Sequence, residues 1–180
     1  PPKLSSISPN SGSTAGIVLT LTGTGFVDGT TVKVGSGTCV IRSLTATSIV
    51  CKATTSGTVK ISYGDFSSQA CVSGTCSVTL SSSLTPAVSD VSPLAPSSAS
   101  SFTLTVTGTQ LTIDTPSVTL FSSTDSSISF SGSVTSSSAT QVIATFTDVA
   151  AGTYSVEVGA GTNLATYASN VVVPLAASIR

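Results

Sequence analysis

The sequence predicts an all-β chain built as two successive β-sandwiches of about 90 residues each. Three observations predict it. Ile17, Leu19 and Leu21 alternate with Val18, Thr20 and Thr22, which places one set of side chains on a single face of a strand. That run closes on Gly23-Thr24-Gly25-Phe26, where two glycines let the backbone turn and a bulky ring anchors the far side of the turn. The same design returns at Phe102 to Leu111 (FTLTVTGTQL), so one unit is written twice, and no segment shows sustained helical periodicity.

Taken in order, the first unit reads as strands near 3–8, 16–23, 30–35, 38–42, 47–53, 57–63 and 75–81. Turn signals separate them: Pro9-Asn10-Ser11-Gly12, Asp28-Gly29, Gly35-Ser36-Gly37, Ser56-Gly57 and Tyr63-Gly64-Asp65. The second unit reads as strands near 87–92, 101–108, 116–121, 127–134, 140–146, 152–158 and 165–173, with Tyr154, Val156 and Val158 on one face. Seven short strands per unit with frequent turns predict a sandwich.

A proline-led phrase marks where each unit begins. Pro2 to Pro9, Pro86 to Pro93 and Pro174 to Arg180 each place apolar residues at their third and sixth positions: Leu4 and Ile7, Val88 and Val91, Ala176 and Ile179. Proline fixes φ and removes one ladder hydrogen bond, so it suits an edge strand or a linker. The phrases divide the chain into 1–86, 87–175 and a remnant, 176–180, that starts a linker, a further repeat or a docking tail. Pro1-Pro2 without an initiator methionine reads as a mature product or a piece of a longer chain.

Serine and threonine exceed a third of all residues, charged residues are 7%, and histidine, methionine and tryptophan are absent. Valine, isoleucine and leucine recur regularly enough to bury a thin core, which argues against disorder. A net charge of −1 leaves no footprint for nucleic acid or an anionic membrane. The charges are divided, however. Residues 1–87 carry five cations and two acids, net +3, whereas 88–180 carry Arg180 against five acids, net −4. No apolar run is long enough to span a membrane, no stretch of these residues reads as a signal peptide, and no direct membrane insertion is expected.

Ile7, Pro9, Gly12, Gly16, Gly23, Gly25, Phe26, Val32, Val34 and Gly35, followed by Cys39, Cys51 and the strand 58–61, resemble the IPT/TIG family of immunoglobulin-like domains. The second unit keeps Val91, Pro93, Thr107-Gly108 and Leu111, has Gln110 in place of the second glycine, and lacks cysteine. The resemblance implies two tandem immunoglobulin-like β-sandwiches. It spans receptors, ciliary and secreted proteins, DNA-binding factors and companions of carbohydrate-active enzymes, so it implies a fold more than a job.

Four cysteines in a chain without histidine favour disulfides over metal and an extracellular or cell-surface location. Three pairings are open. In the resembling family a pair placed like Cys39 and Cys51 is often bridged, and Cys71 and Cys76 flank a four-residue loop suited to a small hairpin. Each short loop would contribute about 2–3 kcal/mol by restricting the unfolded chain. A four-thiolate zinc site is the rival, lacking the usual paired spacing.

Catalysis finds little footing, and neither cofactor nor metal is expected. Without histidine a serine nucleophile needs a lysine or carboxylate base. Asp28, Asp65 and Asp114 fall on turn signals, where capping is their ordinary role, with calcium the alternative. A Lys–Asn isopeptide needs a buried acid beside it, and the one glutamate, Glu157, lies in the half without lysine. The Gly23-Thr24-Gly25 turn precedes no helix and is not a phosphate loop. Hydroxyl runs remain: Ser81-Ser82-Ser83, Ser97-Ser98 after Pro96, and Ser136-Ser137-Ser138, with no N-x-S/T sequon in the chain. They are candidate O-glycosylation sites, or ordinary loop and strand-surface serines.

The expected function is a non-enzymatic extracellular structural protein. Its units would join head to tail, with copies of itself or with neighbouring repeats of a longer chain, into a stalk or filament carrying O-linked sugars. The candidate assembly tail is Pro174, Leu175, Ile179 and Arg180, adding a strand to the next subunit's edge. The alternative is an adhesion or receptor ectodomain fragment or a carbohydrate-binding module, with Tyr63, Phe66, Tyr154 and Tyr167 as exposed aromatics. An accessory domain of an enzyme comes third.

Overall fold

The computed structural model describes residues 1–68, 71, 76–111 and 115–175. The chain divides into two compact units, Pro1–Thr85 and Pro86–Arg180. Among the described residues the one helical element is a 3-10 turn, Ser82–Leu84.

In the first unit the strands are β1 (Lys3–Ser8), β2 (Ser11–Ser13), β3 (Ile17–Thr24), β4 (Thr31–Val34), β5 (Gly37–Thr38), β6 (Val40–Leu44), β7 (Ser48–Ala53), β8 (Gly57–Tyr63), β9 (Phe66–Ser68) and β10 (Ser77–Ser81). One layer runs β1-β3-β7-β6, all antiparallel. The other runs β2-β10-β8-β4-β5, with β9 folded back on the far half of β8 and β2 parallel to β10. Alternation decides the faces. Ile17, Leu19 and Leu21 of β3 point inward with Ile49 of β7, and meet Val32, Val34, Val59 and Ile61 of the opposite layer, while Thr20, Thr22 and Thr24 face out.

The second unit repeats that plan with β11 (Ala87–Ser92), β12 (Ser101–Thr109), β13 (Pro116–Ser122), β14 (Ser129–Ser131), β15 (Ser133–Ser137), β16 (Gln141–Thr147), β17 (Gly152–Ala160), β18 (Asn163–Thr166) and β19 (Val171–Val173). Its layers are β11-β12-β16-β15 and β14-β13-β17, with β18 and β19 sharing the far edge of β17. The registers match in detail. Leu19 opposes Cys51 as Leu104 opposes Ala144, and β1 and β11 each slip register once, between Leu4 and Ser6 and between Val88 and Asp90. Such bulges twist an edge strand away from unwanted pairing.

Three expected strands are corrected by the layering. Residues 38–42 and 127–134 each cross from one layer to the other, so each becomes two strands, broken at Cys39 and Gly132. Cys39 N–H still donates to Val32 O at 2.9 Å, and Gly132 N–H to Val118 O at 2.9 Å, before the chain leaves that layer. Residues 165–173 also divide, because β18 pairs with one half of β17 and β19 with the other. Alternation does not reveal a change of layer, since both faces of the crossing residue are inside. β2 and β9 are too short to show a period and fall within or beside turn signals.

Candidate functional site

The glycine-bearing turn after β3 owes its shape to close approach and to handedness. A Cβ on Gly23 would run into the Lys3 carbonyl and the Phe26 ring, and Gly25 holds φ +74°. Gly23 N–H and Phe26 N–H donate to Thr47 O and Ala46 O at 2.9 and 3.2 Å. Gly108 N–H and Leu111 N–H donate in the same way to Thr140 O and Ala139 O, at 2.9 and 3.1 Å. Gln110 adopts φ +58° there. The second unit therefore makes the same turn without its second glycine. The first of these turns leads to β4 and not to a helix, and its Gly23 and Phe26 N–H groups are already bonded to backbone carbonyls.

Cys39 is bridged to Cys51 and Cys71 to Cys76, with Cα separations of 5.5 and 5.6 Å. Cys51 sits on β7 and Cys39 at the crossing beside β4, so the first bridge ties the two layers through the core. All four thiols are thereby committed, and among the described residues no three metal-ligand side chains gather. The second unit fills the same place without sulfur. Gly132 and Ala144 occupy the positions of Cys39 and Cys51, and the Phe146 ring lies against them: a Cβ on Gly132 would stand 2.6 Å from Phe146 Cζ and 3.0 Å from Ala144 Cβ. Phe146 stacks on Phe102 at 5.4 Å, where the first unit has Ala53 beside Ile17.

The carboxylates sit apart, most of them at turns, with Asp90 on β11 and Glu157 on β17. Asp28 Oδ1 accepts from Gly29 N–H at 3.0 Å. Asp125 Oδ1 accepts from Ser127 Oγ–H at 2.6 Å and from Ser127 N–H at 2.9 Å, which holds its pKa below the usual aspartate value. Asp114 lies outside the described residues, and Glu157 is buried on β17.

The serine runs divide by what their hydroxyls do. Ser81 caps the 3-10 turn and meets Ser83 Oγ at 2.8 Å; Ser98 accepts from Ser100 N–H at 3.2 Å; Ser138 accepts from Gln141 N–H at 3.0 Å. Ser82, Ser83, Ser97, Ser136 and Ser137 are exposed. In the candidate tail Pro174 is half-buried and Leu175 exposed, while Ile179 and Arg180 lie outside the described residues.

The four tyrosine and phenylalanine residues expected on the surface separate into two pairs. Tyr154 is a correction: it is 3% exposed, donates its hydroxyl to Ala150 O at 2.7 Å and meets Phe130 edge-on at 5.7 Å. Its alternation with Val156 and Val158 already placed it inward. Tyr167 is a second correction, half-buried against the core with its hydroxyl 3.4 Å from Asp90 Oδ1. Tyr63 and Phe66 are exposed, at 42% and 59%, and oppose each other across the β8–β9 hairpin. Gly29 lies beside the Tyr63 ring, where a Cβ would come within 3.5 Å.

Two mainly antiparallel layers around one core, written twice in the same strand order apart from the short β2, define an immunoglobulin-like sandwich protein. Residues 2–80 match the family model of the IPT/TIG domain. The match covers the first unit and does not extend into the second. Among solved structures it is similar to the Plexin A4 extracellular region at 17% identity and TM-score 0.47, covering 82% of this chain and 13% of that one. It is also similar to the surface glycan-binding protein PbSGBP-B from Prevotella bryantii (14%, TM-score 0.34, 95% of this chain and 42% of that one). A third is the S-layer protein SbsC, domains 5–6 (16%, TM-score 0.32, 99% and 100%). These likenesses are of fold. The chain spans less than a fifth of the plexin chains it matches, which it covers to 13% and 18%. Among curated proteins none matches it in sequence.

Proposed function

We propose that this protein is a non-enzymatic structural building block of the extracellular space or cell surface, in which two IPT/TIG-type sandwiches serve as successive links of a stalk or filament. The second unit is then a divergent copy of the first. The observation that carries this reading is the repetition itself: the same strand order, bulges, crossing points and turn recur although the side chains have changed. One shape built twice, with the carboxylates kept apart, suits a spacer better than a reaction centre. Both cysteine pairs are oxidised, which suits a compartment outside the cytosol.

Electron microscopy of the native material tests the structural role. Filaments or stalks are expected; monodisperse particles that bind a ligand would overturn it. O-linked sugars belong to the same proposal, on Ser82, Ser83, Ser97, Ser136 and Ser137, where a nearly uncharged surface gains solubility. Peptide mass spectrometry of the natural material is expected to find hexose-sized additions on peptides that carry these serines, and bare peptides would remove the sugars. Tail docking predicts that deleting residues 174–180 abolishes assembly. One observation favours a second reading: the exposed ring pair Tyr63 and Phe66 beside Gly29 offers a face on which a sugar ring stacks. A glycan array that loses its signal in the Tyr63→Ala variant would support that module.

A further inference from the structure

The first unit holds two carboxylates, Asp28 and Asp65, and three aromatic rings, of which Phe26 is buried while Tyr63 and Phe66 are exposed. Both acids and both exposed rings stand at one end of it. Strand β8 ends at Tyr63 and β9 begins at Phe66, with Gly64 and Asp65 as the turn between them. Thr31 opposes Ser62, so the turn Val27 to Thr30 that leads into β4 stands beside Tyr63. A Cβ on Gly29 would lie 3.5 Å from Tyr63 Cε2, which brings the Asp28-Gly29 turn against that ring. Asp28 and Asp65 are themselves exposed, and so is Val27.

Backbone bonds hold this end in place. Thr30 N–H and Oγ–H both donate to Val27 O, at 3.0 and 2.6 Å. Asp28 Oδ1 accepts from Gly29 N–H at 3.0 Å, so one oxygen fixes the carboxylate and the other is left to accept from a guest. Tyr63 and Phe66 are direct cross-strand partners, which sets their Cβ atoms about 5 Å apart and the rings side by side. The hairpin itself requires neither ring nor acid. β17–β18 turns in the same register on the same left-handed glycine, Gly161 at φ +63° for Gly64 at +55°. It carries Ala160, Thr162 and Asn163 where the first unit has Tyr63, Asp65 and Phe66. The cations of the unit are placed elsewhere. Lys33 and Lys60 point out from the face of this sheet opposite to Val32, Ile61 and Tyr63, and Lys3, Arg42 and Lys52 belong to the other layer.

We infer that this end of the first unit is a subsite for a neutral oligosaccharide, whose C–H faces rest on Tyr63 and Phe66 and whose hydroxyls donate to Asp28 and Asp65. A pyranose is apolar on its faces and polar around its edge. It therefore meets two rings set abreast with its face and two acids in the bordering turns with its rim. The acids set the class of sugar. A carboxylate that accepts a hydroxyl makes a charge-assisted hydrogen bond, whereas a uronic or sulfated sugar meets it as a like charge and is turned away. A peptide ammonium group would also be drawn to the carboxylates, but it is satisfied by one acid and one ring face and gives no use to a pair of rings abreast. The assignment rests on the reading of Tyr63 and Phe66 as a sugar platform and adds the acids that select its ligand.

The test is calorimetric titration of the full chain with neutral hexasaccharides of glucose, mannose, xylose and N-acetylglucosamine, with hexagalacturonate, and with pentalysine. The wild type is expected to bind a neutral hexasaccharide and not hexagalacturonate, with an affinity that salt leaves unchanged. Phe66→Ala is expected to weaken that binding by about tenfold, with circular dichroism showing the fold retained. Asp28→Ser, which keeps an acceptor for Gly29 N–H, should weaken it by about threefold to tenfold. Asp65→Lys is the decisive variant: it reverses the charge at the rim and is expected to admit hexagalacturonate, a gain that a damaged fold does not produce. Hexagalacturonate bound by the wild type as well as a neutral sugar, and lost in Phe66→Ala, would overturn the neutral class and leave the sugar platform standing. Pentalysine bound in place of sugar and released by salt would overturn the assignment in favour of a cationic partner. No binding of any of these sugars would overturn both the assignment and the platform.

Discussion

Gln110 and Gly25 hold the same left-handed backbone, at φ +58° and +74°, and only one of them does so without a steric cost. An L side chain in that region costs roughly 1–2 kcal/mol, partly offset because glycine loses more freedom on folding. Gln110→Gly is expected to stabilise the second unit by up to about 1 kcal/mol, and Gly25→Gln to destabilise the first by about as much. Hydrogen exchange of the β12 and β3 amides measures each unit separately. Gly132 answers to space and not to handedness. Gly132→Ala would drive a methyl into the Phe146 ring, and a loss of about 1–3 kcal/mol is expected in denaturant unfolding of the second unit. At Asp125 the two bonds from Ser127 favour the ionised form. The folded pKa is lowered, so the contribution is present above the ordinary value of 3.8 and is lost as pH falls through the folded value. Carboxyl NMR titration should find Asp125 titrating low, and Ser127→Ala should move it back up.

At the scale of elements, one crossing between layers is secured in two ways. The first unit closes it with Cys39–Cys51, spanning 12 residues, and leaves room beside it with Ala53. The second closes it with Gly132 and Ala144 packed under Phe146, which stacks on Phe102. Chain restriction by a loop of that length is worth about 3 kcal/mol. Cys39→Ala with Cys51→Ala is therefore expected to lower the stability of the first unit by about that amount and to leave the second unchanged. Phe146→Ala should do the converse, at about 3–5 kcal/mol, because the ring is buried and Gly132 and Ala144 beside it are too small to fill the space. Differential scanning calorimetry of the two variants would show which transition moves. Much of this level is legible in the sequence. The alternation of β3, β7, β8, β12 and β16 announces their inward faces. The crossing points are not legible, because a residue passing between layers is apolar on both sides and breaks no pattern.

For the whole molecule, each unit has its own core, and two separate unfolding transitions are expected, with reduction by dithiothreitol shifting only that of the first unit. Coincident transitions with and without reductant would contradict this. Function at this scale lies in surfaces, and surfaces are where the sequence is least informative. Tyr63, Phe66, Tyr154 and Tyr167 look alike as letters. Only the register of β8 with β9, and of β17 with β13, separates two exposed rings from one that is buried and one that packs on the core edge.

What the sequence by itself determined was local and periodic: the strand faces, the repeated turn at Gly23 and Gly108, the proline-led phrase, the family of the first unit. These depend on side-chain alternation and on backbone freedom, which are properties of neighbouring residues. Tertiary structure alone decided which strands change layer, that Gln110 can stand in for glycine, and which apolar residues stay uncovered. Those outcomes depend on what residues distant in sequence place opposite each position, and no spacing along the chain encodes that.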